Sequence, residues 1–166
     1  RTGYKNFENF ILAIKPILND DRELFVICAG GGKFTEKELL TFSELEIESQ
    51  MLSYQCNDEE LKTLYVRSVF FVFPSIYEGF GIPLLEAMAS ETAILCSNTS
   101  CFPEIVADSA ILFNPFDICD IREKIKFGLS TDLSCYKEKG LIRLRYFTWE
   151  KAIEETRVVY NKIYNI

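Results

Sequence analysis

The sequence predicts an α/β fold with a doubly wound parallel sheet. Short apolar runs alternate along the chain with segments in which apolar side chains recur at helical spacing. Strands that alternate with helices in this way form a parallel sheet with helices on both of its faces. The runs predicted as strands are residues 23–29, 50–54, 69–73, 93–96 and 110–113.

The helices in the first half of the chain are predicted from periodicity and from capping residues. Residues 6–18 form an amphipathic helix, with apolar residues on one face. Thr35 and Glu38 have the spacing of a capping box, which begins a helix expected to continue to about residue 48. Asp58 begins a third helix.

The later helices follow the most apolar strands. Residues 82–90 form a helix that is apolar almost all round, and a short helix is expected near Pro103. From about residue 118 onward the chain is predicted to be helical, ending with a helix over about 149–163. We expect Thr148 to cap that last helix and Trp149 to anchor it in the core.

Composition narrows the class of protein. With 166 residues, of which 48% are hydrophobic, the chain is long enough for one domain with a sizeable core. Its net charge of -7 argues against nucleic acid as a partner. The absence of histidine removes the commonest general base and the commonest metal ligand. The six dispersed cysteines, several inside apolar runs, indicate reduced, buried thiols and a cytoplasmic protein.

The order of the elements indicates a missing strand. The sequence opens at Arg1, without an initiator Met, and its first element is a helix. In doubly wound folds the first strand usually pairs near the middle of the sheet. We therefore expect this chain to be a piece of a longer protein, with the first strand outside the 166 residues.

The candidate site lies where a buried strand meets a buried helix. Glu78 and Glu86 flank the segment Gly-Phe-Gly-Ile-Pro-Leu-Leu, so that one carboxylate is in a glycine-rich loop and the other about one turn into the helix. Between them, the free N–H groups and the dipole of a helix N-terminus favour a bound anion. Such a site suits a nucleotide-sugar, with its diphosphate on the N–H groups and its hydroxyls on the carboxylates.

Three features allow two interpretations each. Glu86 either caps a neighbouring backbone group or accepts hydrogen bonds from ligand hydroxyls. Arg1 and Lys5 are either solvated surface charges or cations that reach a phosphate. Residues 30–32 (Gly-Gly-Gly) form either a strand-to-helix turn, which we favour, or a phosphate loop, whose usual glycine and lysine spacing they lack.

Residues 74–89, which read Pro-Ser-Ile-Tyr-Glu-Gly-Phe-Gly-Ile-Pro-Leu-Leu-Glu-Ala-Met-Ala, resemble the signature block of the family 4 retaining glycosyltransferases of GT-B fold, the glycosyl transferases group 1. Four other segments resemble family motifs in the right order. They are Arg-Thr-Gly-Tyr-Lys-Asn-Phe at 1–7, Asp-Glu-Glu-Leu at 58–61 with Leu-Tyr at 64–65, Phe-Pro-Glu at 102–104, and Phe-Thr-Trp-Glu at 147–150.

The resemblance implies that residues 1–166 are the C-terminal, donor-binding domain, a Rossmann-like half of a GT-B enzyme whose N-terminal acceptor domain is absent. It implies that Glu78 contacts the donor sugar, that Arg1 and Lys5 clamp the diphosphate, and that Glu86 holds the ribose hydroxyls. The amides that would face sugar and phosphate belong to Gly79, Phe80, Gly81 and Ile82.

The same resemblance implies the chemistry of the full-length enzyme. It would transfer a hexose, such as mannose, glucose or galactose, with retention of configuration, from a UDP-, GDP- or ADP-sugar to a glycan or lipid-linked acceptor. It would need no metal or other cofactor. We expect it to build surface polysaccharide or lipopolysaccharide in the cytoplasm, with peripheral association at the inner face of the membrane, and we expect the isolated domain to be inactive.

Two rival functions remain open at this point. One is another GT-B enzyme, such as a nucleotide-sugar epimerase or a phosphorylase, although an epimerase would rely on histidine, which this segment lacks. The other is a non-catalytic nucleotide-binding module, against which the Glu78/Glu86 pair argues.

Overall fold

Strands and helices alternate along the chain in the predicted order. The computed structural model describes residue 1 and residues 3–164, and within that part five strands and eight α-helices are present. In chain order they are α1 (Phe7–Asp20), β1 (Val26–Ala29), α2 (Glu36–Glu44), β2 (Met51–Tyr54), α3 (Asp58–Arg67), β3 (Phe71–Phe73), α4 (Ile82–Ala89), β4 (Ile94–Ser97), α5 (Phe102–Val106), β5 (Ala110–Phe113), α6 (Ile118–Ser130), α7 (Ser134–Leu144) and α8 (Trp149–Tyr164).

All strand pairs are parallel, but they form two sheets. β1 pairs with β2, with Val26 opposite Met51, and the second sheet has the order β3-β4-β5. The predicted α/β class is confirmed. The predicted single sheet is interrupted between β1 and β3, where a central first strand was expected and where the described residues supply none.

Two apolar clusters cover the two faces of the strands. In β3 and just before it, Phe70 and Val72 pack with the cluster of α1 and α6, whereas Phe71 and Phe73 pack with the cluster of α4 and α5. This alternation follows from the pleat of a strand, which points successive side chains to opposite faces. The helices therefore lie on both faces, as in a doubly wound fold.

The helix after Thr35 is shorter than predicted. The capping box is confirmed, because Thr35 Oγ1 accepts the N–H of Glu38 and the Glu38 carboxylate accepts the N–H of Thr35. The helix ends at Glu44, and Glu46 then adopts a left-handed conformation with φ of 60°. A left-handed residue cannot continue a right-handed helix, so the chain turns and forms a separate 3-10 turn at Glu48–Gln50.

Two predictions about burial are wrong. Helix α8 begins at Trp149, and Thr148 Oγ1 accepts the N–H of Lys151, as a capping residue does. Trp149, however, is 83% exposed, and no residue of α8 is buried. Because α8 contacts little of this chain, its apolar side chains have no core to enter. All six thiols are free, yet Cys119 and Cys135 are exposed because they lie on the outer faces of α6 and α7.

Within residues 1 and 3–164, none of the helices is both long and apolar enough to cross a membrane.

Candidate functional site

The glycine-rich loop follows the carboxyl end of β3 and leads directly into α4. This is the edge of a parallel sheet at which ligands bind in doubly wound folds. Gly81 makes the transition into the helix with φ of +91°, a left-handed conformation that side chains disfavour. Pro83 then occupies the first turn, where its missing N–H costs no helical hydrogen bond.

Four consecutive amides at this helix start have no partner within the described part of the chain. The N–H groups of Gly79, Phe80, Gly81 and Ile82 have no hydrogen-bond acceptor there. Phe80 and Ile82 are exposed, whereas Gly81 between them is buried. Unpaired N–H groups and the positive end of the helix dipole together favour an anion at this position.

Glu78 is held beside a cation. Lys5 Nζ lies 2.6 Å from Glu78 Oε1, and Ser75 Oγ donates to the same oxygen at 3.0 Å. The Glu78 side chain is 19% exposed, whereas Ser75 is fully buried. The second oxygen, Oε2, accepts no hydrogen bond from any described residue, so one side of the carboxylate is fixed by protein and the other is available to a ligand.

The segment from Gly3 to Lys5 is attached to the glycine-rich loop by its backbone as well. It forms a 3-10 turn, and the N–H of Ile76 donates to the carbonyl of Tyr4 at 2.7 Å. The Lys5 ammonium also lies 5.9 Å from the centre of the Phe73 ring. The structure therefore brings together Lys5, the Glu78 carboxylate and the start of α4, which are far apart in the sequence.

Three consecutive side chains after β4 support the backbone of the Glu78 loop. Thr99 Oγ1 donates to the Ile76 carbonyl at 2.8 Å, and Ser100 Oγ donates to the Glu78 carbonyl at 3.0 Å. The Cys101 thiol lies 3.3 Å from the Phe80 carbonyl. Sequence reasoning missed these residues, because nothing in the local pattern at 99–101 shows that they face a loop more than twenty residues away.

Glu86 is exposed on α4 and accepts a hydrogen bond from a tyrosine. The Tyr65 hydroxyl of α3 donates to Glu86 Oε2 at 3.2 Å. The ring of Tyr65 is buried and packs edge-on against Phe71, with 5.2 Å between the ring centres. Burial and then the Glu86 charge raise the pKa of Tyr65, so the phenol stays protonated and acts as a donor. Among the described residues, the hydrogen-bond partner of Glu86 is thus a side chain and not a backbone group, and that Glu86 accepts ligand hydroxyls stays a prediction.

Every N–H group of the Arg1 guanidinium donates a hydrogen bond to another part of the protein. Its five N–H groups make five hydrogen bonds, to both oxygens of Glu38 and to the carbonyls of Gly30, Gly32 and Lys33. Burial raises the pKa of Glu38, but hydrogen bonds from Arg1 and Thr35 outweigh burial and bring it to about 2. Arg1 is thus a paired cation; that it clamps a phosphate stays a prediction, since its donors would first have to exchange partners.

The triple glycine at residues 30–32 is the predicted strand-to-helix turn. All three glycines have positive φ, between 71° and 76°. A Cβ atom on Gly31 would lie 3.1 Å from Arg1 Nη1, so the missing side chain leaves room for the guanidinium. Because the carbonyls of Gly30 and Gly32 face that cation, the loop binds a positive charge within the chain.

The predicted site residues thus fall into two groups. Lys5, Glu78 and the amides of 79–82 are adjacent at the start of α4, and Glu86 lies one turn further along the helix. Arg1 lies beside the carboxyl end of β1, with Glu38. Within residues 1 and 3–164, no three His, Cys, Asp or Glu side chains are grouped so that they could hold a metal ion.

A comparison with protein families decides where the chain belongs. Residues 1–138 match the family described as "Glycosyl transferases group 1". The chain is a member of this family. The matched region contains every residue predicted for the site, so the family resemblance is confirmed; the motif at 147–150 lies outside the matched residues.

Similar curated proteins of this family have names that specify mannosyl transfer. The O-antigen chain mannosyltransferase B of Escherichia coli is 37% identical over 107 residues, which are 62% of this chain and 28% of that protein. The O-antigen chain mannosyltransferase RfbU of Salmonella typhimurium is 34% identical over 124 residues, which are 74% of this chain and 35% of that protein. This chain therefore spans about a third or less of their length.

Solved structures share the fold. A glycosyltransferase from Rickettsia africae superposes with a TM-score of 0.81 at 18% identity, covering 98% of this chain and 45% of that one. The C-terminal domain of a group 1 family protein, LpcC, from Francisella tularensis has a TM-score of 0.70 at 24% identity, covering 88% of this chain and 80% of that one. At these identities the likeness establishes the fold of the chain.

Proposed function

We propose that residues 1–166 form the donor-binding domain of a retaining hexosyltransferase that takes a nucleotide-diphosphate sugar as its donor. The observation that carries the proposal is the row of four unpaired amides at the start of α4, flanked by the carboxylates of Glu78 and Glu86. Membership in the glycosyl transferases group 1 supports it.

The geometry suits each part of such a donor. The unpaired amides and the helix dipole would receive the diphosphate, whose charge they stabilise. Glu86, oriented by Tyr65, would accept the ribose hydroxyls, and the Oε2 of Glu78 would accept a sugar hydroxyl. Arg1 and Lys5 would complete the phosphate contacts after exchanging their present carboxylate partners for the ligand.

In the reaction that we propose, the acceptor hydroxyl attacks the anomeric carbon on the side of the leaving group. Negative charge grows on the diphosphate as its bond to the anomeric carbon breaks, and the departing diphosphate oxygen accepts the proton of the attacking hydroxyl. Fixed donors that are already oriented toward that charge lower the barrier, because they need no rearrangement at the moment of reaction. Lys5 would add to this stabilisation once donor binding has moved its ammonium from Glu78 to the phosphate, and Ser75 would then keep Glu78 in place.

The named relatives favour a particular sugar and product within this proposal. Because two similar proteins are called O-antigen chain mannosyltransferases, we propose mannose as the sugar and a surface polysaccharide or lipopolysaccharide as the product. The acceptor would bind to a part of the full-length protein outside these residues, which is why we expect the isolated domain to be inactive. Metal independence, a cytoplasmic location and peripheral membrane association belong to the same proposal.

The proposal is tested in the full-length enzyme by replacing Glu78. We expect Glu78→Ala to lower sugar transfer by about 10²-fold or more, because a group that contacts the reacting sugar is lost. Glu123→Ala, which removes an exposed carboxylate on α6 outside the site, is the matched control and should retain activity. Near-normal transfer by a folded Glu78→Ala enzyme would refute the assigned role.

Two further measurements separate the rivals. Product analysis with the donor alone identifies an epimerase, which would invert a sugar centre without any acceptor. A non-catalytic nucleotide-binding module would release heat with a nucleotide in calorimetry but transfer no sugar, whereas a half retained for assembly alone would release no heat with UDP, GDP or ADP. Transfer that persists in excess EDTA is the result expected for a metal-independent enzyme.

A further inference from the structure

The glycine-rich loop is held along one side by the side chains of residues 99–101. These three side chains donate, in order, to the carbonyls of residues 76, 78 and 80. Ser100 makes a second contact, because its Oγ also accepts the N–H of Glu78 at 3.4 Å. One side chain, 22 positions further along the chain, thus bonds both backbone groups of Glu78.

The bond from Ser100 to the Glu78 carbonyl also sets the direction of the next amide. In a trans peptide unit the C=O and the N–H lie in one plane and point in opposite directions. Within residues 1 and 3–164 no peptide bond is cis. The Glu78 carbonyl and the Gly79 N–H belong to one peptide unit, so this N–H points away from Ser100. Gly79 is exposed, and its N–H has no acceptor in the described part of the chain.

The amide at the other end of the row is directed by α4 itself. The N–H of Leu84 donates to the Gly81 carbonyl at 2.9 Å, so that the N–H of Ile82, in the same peptide unit, points out of the helix start. A helix fixes its first amides in this way without help from other elements. The amide of Gly79 lies before the helix, and its direction depends instead on the bond from Ser100.

The backbone of Ser100 is strained. Its φ is 56°, in the left-handed region that residues with a Cβ atom disfavour. Such residues occur at functional sites, where the surrounding structure holds them in place. Glycine would adopt this conformation more readily but would lack the Oγ that bonds Glu78. Since Ser100 is exposed, its side chain adds little to the core, and its contacts with the loop are the role that the structure shows for it.

The same contacts fix the position of the Glu78 carboxylate. Its Oε1 is now bonded by Lys5 and Ser75, and in the proposed function donor binding moves Lys5 to the phosphate. Ser75 would then hold the carboxylate, and Ser100 would hold the backbone that bears it. A group that contacts the reacting sugar must be placed accurately, because small displacements cost rate.

We propose that Ser100 is a positioning residue of the donor site, which holds the peptide unit between Glu78 and Gly79 so that the Gly79 N–H faces the diphosphate and the Glu78 carboxylate faces the sugar. The inference rests on the proposed function, which assigns that ligand. Cys101 supports the next part of the loop in the same way, since its thiol lies 3.3 Å from the Phe80 carbonyl.

The test compares Ser100→Ala and Ser100→Gly with the wild type in the full-length enzyme. Calorimetry with UDP, GDP and ADP first identifies the nucleoside diphosphate that the wild type binds. We expect both variants to bind it about 5–10-fold more weakly, because a hydrogen bond to a charged ligand loses its orientation. The Tm should stay within about 4 °C of the wild type, since the lost hydroxyl is exposed. Ser130→Ala removes an exposed hydroxyl that donates to the Lys126 carbonyl on α6, and this matched control should keep full affinity.

A comparison of ligands separates a positioning role from a general loosening of the loop. The nucleoside without its diphosphate should bind both Ser100 variants as well as it binds the wild type. In NMR of the enzyme with isotope-labelled glycine, the diphosphate should shift the Gly79 amide signal in the wild type and shift it less in Ser100→Ala. Equal weakening of the nucleoside and the diphosphate would overturn the proposal, because it would show that Ser100 only stabilises the loop as a whole.

The outcomes also distinguish this inference from the function on which it rests. If the wild type binds none of the three diphosphates, the proposed function fails and the inference fails with it. If the wild type binds one of them and both Ser100 variants bind it equally well, the proposed function stands and the role of Ser100 is overturned. For Cys101 we expect Cys101→Ser to keep its affinity, since a hydroxyl can donate to the same carbonyl, and Cys101→Ala to lose about 3-fold. Equal affinity of these two variants would overturn the role of Cys101.

Discussion

Gly81 is the position at which the structure makes its sharpest stability prediction. It precedes α4 with φ of +91°, and a Cβ atom built on it would lie 3.1 Å from Leu84 Cδ1 and 3.5 Å from Phe102 Cε1. Both neighbours are fully buried, so neither can move aside freely. An L-residue in the left-handed region costs about 1–2 kcal/mol. Crowding in a packed core adds about 1–2 kcal/mol.

We therefore expect Gly81→Ala to destabilise the domain by about 2–4 kcal/mol, which corresponds to a fall in Tm of about 5–15 °C for a chain of this size. Gly79→Ala is the matched control, because the same loop leaves a Cβ there with no atom within 4 Å. Its effect should be within about 0.5 kcal/mol. Urea unfolding followed by circular dichroism measures both, and equal effects of the two substitutions would refute the left-handed entry into α4.

The remaining predictions concern two hydrogen-bonded carboxylates. Tyr65→Phe removes the hydrogen-bond donor to Glu86 and keeps the buried ring. We therefore expect nucleotide affinity to fall about 3–10-fold in calorimetry with the Tm nearly unchanged, and Tyr136→Phe serves as the control. An unaltered affinity would show that Tyr65 is not a positioning residue. For Glu38, the folded pKa of about 2 lies below its usual 4.5, so its stabilisation is complete above pH 4.5 and is lost as the pH falls toward 2. Because solvent screens these interactions of Glu38, we expect them to contribute about 1 kcal/mol to the free energy of unfolding. The corresponding part of the acid unfolding curve should disappear in Glu38→Gln.

Sequence patterns within a few residues correctly predicted the helix starts. The capping box at Thr35 and the helix start at Trp149 follow from side chains a few positions apart, and both are present. The glycine-rich entry into α4 was predictable for the same reason. Each of these features is fixed by backbone geometry within a single turn, which the sequence encodes directly.

The partners of the charged residues were beyond such reasoning. Lys5 pairs with Glu78 and Arg1 with Glu38, across 73 and 37 positions of the chain. Both cations are paired with carboxylates in the structure, and that they contact a phosphate stays a prediction. The exposure of Trp149 was missed for a related reason. An apolar residue is buried only if another element of the fold packs against it, and no residue of α8 is buried in this structure.

These long-range pairs give Arg1 and Lys5 a structural role in addition to the proposed one. Arg1 is bonded to the loop after β1, and Lys5 is bonded to the loop after β3; the two sheets that these loops follow share no strand pairing among the described residues. Substituting either cation would therefore loosen the contact between the sheets as well as alter the anion site. A loss of activity in Lys5→Ala becomes evidence for phosphate binding only if the Tm is preserved.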